Sequence, residues 1–369
     1  MNAGGGVLTS STIRLVCLTS CFALRAYQRH GYPITPGLAL AAFAAYRTSF
    51  LKNAGGAESY ASEALAWTAR LPHPLYSHRV EYVVQSLVYG WTRPRRSTLA
   101  PLQSVIDSAR ETGDLQYVEY AHLQRTSSLA LAGGHLAEVQ RELELVYRYS
   151  PIDIAPHVAA VRLMRAGPSE SGELSEALEA LRSPLDAGRV ALLSPWVFWL
   201  EILCMLGGWA RAWRIVRELG RSPYDVGSTL SQLVDFMYLR GVAAAVSAHP
   251  LRARFELARS LRRVRIWAQD GIDFVHMVRG LEAEREWLRG RSSAALQLYG
   301  DAAQRAEQRE YVHHAALLHE RRAALLERLH RDTESAAALE RAEALYDAWG
   351  ANTKVVQLQQ LRLRVTWKR

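Results

Sequence analysis

Apolar residues recur at helical spacing along the chain, and nowhere is there a series of short segments alternating apolar and polar residues, as a sheet would need. Three segments show the stripe clearly. They are Leu102, Val105, Ile106 and Ala109; Ala295, Leu298, Ala302 and Ala306; and Ala338, Ala342, Leu345 and Trp349. Because each stripe must be covered by a neighbouring helix, the pattern predicts an all-α protein built of helices packed on helices.

A recurring hairpin refines this prediction. An apolar helix ends at glycine, and a second helix beginning with small residues follows at once, in LALAGGHLAEV at Gly133 and Gly134, CMLGGWARAW at Gly207 and Gly208, and WLRGRSSAAL at Gly290. Glycine there can adopt the left-handed cap conformation. Successive hairpins lie about two units of 37 and two units of 41 residues apart, which is typical of helix-pair repeats. The fold class predicted is a tetratricopeptide-like helix-pair solenoid.

Proline is concentrated between Ser150 and Pro195, where it interrupts helices, and the polar stretch from Ala166 to Glu173 reads as a turn. We therefore predict a bend between two sub-arrays of repeats. The predicted divisions are an N-terminal helix with a partly disordered start (1–34), N-terminal helical repeats (35–166), a proline-containing linker or bend (167–195), C-terminal helical repeats (196–350) and a C-terminal helix (351–369).

The last segment carries its own prediction. Tyr346, Trp349 and Gly350 should close the final repeat, and the helix from Lys354 to Arg369 should project past the array. Its apolar residues are Val355, Leu358, Leu361, Leu363 and Val365. An exposed apolar strip usually marks a contact surface, so we expect this helix either to form a homodimer or to fold back on the last repeat.

The composition fits a soluble helical protein, since 49% of the 369 residues are hydrophobic and 22% are charged. The net charge of +9 comes almost wholly from arginines dispersed among carboxylates, which favours ordinary ion pairs on helix surfaces. An arginine-lined site for polyanions is a second alternative. Its residues would be Arg93, Arg95, Arg96, Arg362, Arg364, Lys368 and Arg369.

Three cysteines, Cys17, Cys21 and Cys204, form neither a disulfide framework nor a zinc cluster, which favours a reducing cytoplasm. No run of residues approaches the roughly 20 apolar residues of a membrane span. We therefore predict a cytoplasmic chain that does not associate with membranes.

Motifs for catalysis are absent from the sequence. It contains no phosphate-binding glycine loop, no set of kinase motifs and no nucleophile elbow, so we predict no catalytic residue and no cofactor. The segment YVHHAALLHERRA holds His313, His314, His319 and Glu320. His314 and His319 are five residues apart, about 140° around a helix, whereas a metalloprotease helix separates its histidines by four. We predict packed or surface histidines here and no metal.

Tryptophans are dense after the proline-rich segment, at Trp196, Trp199, Trp209 and Trp213. Their spacing of three or four residues favours packing between helices. The alternative is an aromatic groove for a peptide or a small molecule, which would make the chain a sensor similar to the inducer-binding arrays of large ATPase transcription activators.

Three stretches resemble a helical region of large bacterial proteins that combine a serine/threonine kinase, an ATPase and a sensor histidine kinase. Val88 to Ala121 matches at Trp91, Pro94, Gly113 and Asp114. HHAALLHE is similar to a family helix, with His314, Ala316 and Glu320 within it. ALYDAWGANTKVVQL is the most specific match, with Tyr346, Trp349, Gly350, Ala351, Lys354 and Val355 in register.

The resemblance covers roughly residues 35 to 360 and implies a middle region without the kinase, nucleotide-binding and sensory parts, so no activity is carried over. It implies a non-catalytic module for protein interaction or regulation in bacterial signal transduction. The expected partner is a kinase, ATPase or response-regulator domain, and nucleic acid is not an expected partner.

Overall fold

The computed structural model describes residues 36–49, 54–149, 155–166, 193–219, 231–268 and 273–367, together with Phe22, Arg25 and Arg29. Within these residues all regular structure is helical, and there is no strand. The predicted all-α class is confirmed. Most of the predicted N-terminal helix (1–34) and most of the predicted linker (167–195) lie outside the described residues. The last three residues of that linker belong to a helix, which begins at Leu193.

The N-terminal part contains seven helices among the described residues. These are α1 (Pro36–Ser49), α2 (Ala54–Arg70), α3 (Ser77–Val84), α4 (Leu99–Glu111), α5 (Leu115–Leu131), α6 (Leu136–Tyr149) and α7 (Ala155–Ala166). Helix α3 continues through a π-helical turn, Gln85–Tyr89, into Gly90–Thr92, and a 3₁₀ turn, Arg95–Thr98, then leads into α4. The Thr48 hydroxyl donates to the Leu87 carbonyl, 2.9 Å away, and so satisfies an acceptor within the π turn.

The rest of the described chain forms α8 to α16. These are α8 (Leu193–Met205), α9 (Trp209–Leu219), α10 (Gln232–Ser247), α11 (Pro250–Ala268), α12 (Val275–Leu288), α13 (Ser292–Gln308), α14 (Val312–Arg328), α15 (Asp332–Trp349) and α16 (Asn352–Trp367). Consecutive helices pack side by side, most extensively α10 on α11, α12 on α13 and α14 on α15. Adjacent pairing of helices is therefore the basic architecture.

The turns of the C-terminal part repeat at a fixed interval. Left-handed residues stand at Gly290, Glu310, His330 and Gly350, and each number is 20 above the one before. After each of them the next backbone N–H donates to a carbonyl five residues earlier, as Arg291 does to Glu286 over 2.9 Å. This bond closes a Schellman motif, which satisfies the free carbonyls at a helix end. Two 20-residue units match the length of a helix-pair repeat.

His330 and Gly290 provide a matched test of these turns. His330 has a φ of 56° and Gly290 a φ of 76°, and a Cβ added to Gly290 would meet nothing within 4 Å. Backbone strain is therefore the main difference between them. His330→Gly should raise the free energy of unfolding by roughly 0.5–1 kcal/mol, and Gly290→Ala should lower it by about 1 kcal/mol. Urea denaturation measures both, and shifts of the same sign would contradict this account.

Residues of both predicted repeat segments share one hydrophobic core, which extends from Trp91 to Leu358. The indole Nε1 of Trp349 donates to the Gly134 carbonyl over 3.0 Å, and Arg96 donates to the Glu310 carbonyl over 3.1 Å. The α5–α6 turn thus contacts α15, and the 3₁₀ turn before α4 contacts the α13–α14 turn. The two predicted repeat segments therefore pack against each other.

The position of the C-terminal helix differs from the predicted one. Helix α16 does not project past the array but packs on α15 and on α7. The hydroxyl of Thr353 donates to the Leu163 carbonyl over 2.5 Å, and Leu358 is buried. The structure shows this helix folded back onto the chain, where α7 supplies a second neighbour beside α15. Leu363 remains exposed.

None of the helices in the described part of the chain combines the length and the apolar character needed to cross a membrane.

Candidate functional site

Three buried side chains from two distant helices meet in the interior. Glu201 lies in α8, and His313 and His314 lie in the first turn of α14; all three have 0% relative exposure. Nε2 of His314 is 2.7 Å from Oε1 of Glu201, and Nε2 of His313 is 3.3 Å from the same oxygen. We call this group the Glu–His cluster.

The α5–α6 turn makes room for the cluster. Gly133 has a φ of 73°, and a Cβ at this position would lie only 2.6 Å from Nδ1 of His313. The His313 ring also stacks on His314, with centroids 4.2 Å apart, and lies 5.3 Å from the ring of Trp349. The backbone of one hairpin and the side chains of two later helices therefore hold the histidine rings in place.

A third histidine lies behind the cluster. Nε2 of His276, in α12, is 2.8 Å from Nδ1 of His314, and His276 also hydrogen-bonds to the backbone of Asp273. The ring of Tyr311 stacks parallel to that of His314 at 5.8 Å. His314 is thereby oriented so that its other nitrogen, Nε2, faces Glu201.

An arginine–aspartate network adjoins these rings. The Arg95 guanidinium donates to both carboxylate oxygens of Asp235, over 2.8 and 2.5 Å, and both side chains are buried. The Asp273 carboxylate accepts from the Arg95 backbone N–H and from the Tyr311 hydroxyl, each over 2.8 Å. This network joins the 3₁₀ turn before α4 to α10 and to the start of α14.

Burial and the neighbouring charges act in opposite directions on the pKa values of Glu201 and His313. Burial by itself raises the pKa of Glu201, but His313 and His314 outweigh this effect and lower the pKa to about 2. Burial lowers the pKa of His313 below its usual range, against the attraction of Glu201. Burial likewise lowers the pKa of His276 well below its usual value. The Glu201 carboxylate thus faces the imidazole of His313 in an environment that disfavours protonation of that ring.

The arrangement offers two nitrogens and a carboxylate oxygen to a common point. Because none of the three side chains has solvent-exposed surface, the cluster offers no accessible face to a substrate. Its chemistry is limited to holding a small cation or to joining α8 and α14 through charge. Imidazole and carboxylate are ligands for divalent transition metals such as Zn²⁺.

The structure separates the residues of the YVHHAALLHERRA segment. His313 and His314 enter the buried cluster, whereas Nε2 of His319 is 3.0 Å from Glu307 on α13. Glu320 accepts from Lys354 over 2.7 Å and from the Tyr346 hydroxyl over 3.1 Å. His319 and Glu320 therefore contribute to contacts between α14 and its neighbours instead of to a shared site.

The other residues of the family resemblance occupy structural positions. Trp91 is buried with its ring 5.8 Å from that of Trp267, and Pro94 precedes the 3₁₀ turn of Arg95. Gly113 has a φ of 72°, and Asp114 accepts from His78 and Arg79. Tyr346 and Trp349 are buried, Gly350 has a φ of 85°, and Lys354 is buried.

Three of the four tryptophans considered for a groove have side chains that the structure describes, and two of these three are buried. Trp199 and Trp213 lie in the hydrophobic core, and Trp209 is half-buried with the Arg321 guanidinium over its ring. The side chain of Trp196 lies outside the described residues. The rings of Trp199 and Trp213 are buried in the packing between α8, α9 and α10 and do not line an open groove.

Four of the arginines considered for polyanion binding, those whose side chains the structure describes, have partners within the chain. Arg95 is buried against Asp235, and Arg93 contacts Glu58 over 2.6 Å and stacks on the ring of Tyr89. Arg96 donates to backbone carbonyls, and Arg362 lies 3.4 Å from Glu343. The side chains of Arg364, Lys368 and Arg369 lie outside the described residues. These four arginines therefore take part in contacts within the chain.

Sequence reasoning missed Glu201, Asp235, His276 and Arg95 as members of the buried network. A signal was present for two of them. Glu201 is the single charged residue of α8, and Asp235 lies in the apolar run QLVDFMYL. A lone carboxylate in an apolar helix must find a buried partner, because an unpaired buried charge is costly. No local pattern, however, indicates which partner that will be.

Comparison with known proteins adds no identification, since no protein-family model matches the chain and no curated protein matches it.

Proposed function

We propose that this chain is a non-catalytic module of tetratricopeptide-like helix pairs that binds a protein partner in bacterial signal transduction. The expected partner is a kinase, ATPase or response-regulator domain. The fixed 20-residue spacing of the C-terminal turns supports the repeat character. The observation that carries the binding proposal is the outer face of α11.

Helix α11 presents a surface that is both apolar and basic. Leu251 and Phe255 are four residues apart, and their relative exposures are 72% and 67%. Arg252, Arg254 and Arg262 are exposed on the same helix, whose single carboxylate, Glu256, is buried against Arg240. Large apolar side chains with arginines around them are typical of interface hot spots. The surface fits a partner segment that carries acidic and apolar residues.

The expected contact can be tested by photo-cross-linking in a bacterial lysate. A photoreactive amino acid at Phe255 should capture a kinase, ATPase or response-regulator protein. The same group at Leu115, which is 73% exposed on α5, is the matched control and should capture none of them. Equal capture from both positions, or capture of further copies of this chain alone, would contradict the proposal.

A double variant completes the test. Leu251→Ser with Phe255→Ser should abolish the capture while changing the free energy of unfolding by no more than about 0.5 kcal/mol, since both side chains are exposed. Thermal melting checks the stability. Retained binding by this folded variant would show that α11 is not the contact surface.

A further inference from the structure

The side chains of the Glu–His cluster converge on one point, as the ligands of a metal ion do. Oε1 and Oε2 of Glu201 and Nε2 of both histidines are buried, yet none has a hydrogen-bond partner among the described residues. Nε2 of His314 and Oε1 of Glu201 are close enough for a hydrogen bond, but their angles do not suit one. Buried polar atoms normally find partners, so this convergence requires an explanation.

The hydrogen bonds behind His314 indicate where its lone pair lies. His276 bonds to the backbone of Asp273, and since its Nε2 faces His314, that bond falls to Nδ1. In the tautomer in which Nδ1 of His276 donates to the Asp273 carbonyl, its Nε2 accepts from Nδ1 of His314. In that tautomer the remaining nitrogen of His314, Nε2, carries a lone pair 2.7 Å from Oε1 of Glu201.

A lone pair and a carboxylate at this distance repel unless a cation lies with them. The nearby Arg95 is committed to both oxygens of Asp235 and does not fill this role. A histidine whose far nitrogen is held by a second partner is the usual second-shell arrangement of a metal ligand. The relay from Asp273 through His276 has this form.

We propose that Glu201, His313 and His314 bind one divalent transition-metal ion of the Zn²⁺ class. The three ligand atoms lie within 4.8 Å of one another. Tetrahedral zinc with bonds near 2 Å separates its ligands by about 3.3 Å, so small side-chain adjustments suffice. Two imidazoles and one carboxylate are a known ligand set for this metal. The ion would tie α8 to the first turn of α14.

The proposal is tested on the full chain. The protein is unfolded in guanidinium with a chelator, refolded with CoCl₂ or ZnCl₂, and passed through a desalting column. Elemental analysis should give one metal per chain, and the Co²⁺ form should show the visible absorption of a tetrahedral site. Because the ligands are buried, metal supplied during refolding should load better than metal added afterwards. Refolded protein without stoichiometric metal would overturn the proposal, whatever the variants do.

Matched variants locate the site. Glu201→Gln keeps the shape of the side chain but should weaken Co²⁺ binding more than about 100-fold, and His276→Phe should weaken it about 10–100-fold. His319→Asn changes a histidine on the same helix that faces Glu307, and it should bind as the wild type does. Wild-type affinity in folded Glu201→Gln, verified by circular dichroism, would refute the assignment. This inference is independent of the α11 surface.

Discussion

Replacing Trp349 by alanine should lower the free energy of unfolding by roughly 3–5 kcal/mol. The side chain has 0% exposure at the end of α15, and its indole Nε1 donates to the Gly134 carbonyl over 3.0 Å. Its ring also lies 5.3 Å from that of His313. The substitution therefore opens a cavity where the N-terminal and C-terminal parts of the chain meet, and it leaves a backbone carbonyl without its donor.

Urea denaturation measures this loss, with Trp209→Ala as the matched control. Trp209 is half-buried at the start of α9, so its removal should cost clearly less than that of Trp349. Trp349→Phe should lie between wild type and Trp349→Ala, because it keeps most of the apolar contact but loses the N–H donor. Equal effects for Trp349→Ala and Trp209→Ala would show that the α15 contact with the α5–α6 turn is not a centre of stability.

Breaking the Arg95–Asp235 pair should have an effect of similar size. Arg95→Met should lower the free energy of unfolding by about 3–5 kcal/mol, because it leaves the Asp235 carboxylate buried without its cation. Arg95 is 2% exposed and Asp235 is 0% exposed, so water cannot replace the lost partner. The Arg95 backbone N–H still reaches Asp273, so the local turn should persist.

A double-mutant cycle separates the charge from the packing. Arg95→Met combined with Asp235→Leu removes both charges and should be substantially less destabilised than the sum of the two single variants. Arg93→Met is the matched control, because Arg93 pairs with Glu58 where both side chains are part-exposed, and such pairs contribute about 1 kcal/mol at most. Simple additivity in the Arg95–Asp235 cycle would contradict a coupled buried pair.

Local patterns predicted the helices well. The stripes at Leu102, Ala295 and Ala338 fall on α4, α13 and α15, and the glycines at 133, 207 and 290 all have left-handed φ values. A search for glycine does not find two turns of the 20-residue series, because Glu310 and His330 take the left-handed conformation there. The Schellman hydrogen bonds at these turns compensate for that strain.

The projecting C-terminal helix shows where local patterns fail. Leu358 of α16 is covered as the pattern requires, whereas Leu363 stays exposed, and the sequence carries no local signal that α7 lies beside this helix. Asn352 and Thr353 donate to carbonyls near the end of α7, 187 and 190 residues earlier. Contacts at such separations depend on how the intervening helices stack.

The sequence by itself determined the all-helical class, the positions of the turns capped by Gly133, Gly207 and Gly290, and the burial of Tyr346 and Trp349, because periodicity and capping act over a few neighbouring residues. The tertiary structure alone decided that Glu201 meets His313 and His314, and that Arg95 meets Asp235 instead of solvent. Those pairings join helices more than a hundred residues apart, and a buried charge can be stabilised by any partner that packing brings within reach. The sequence therefore indicates that a buried charge needs a partner, whereas only the fold shows which residue that partner is.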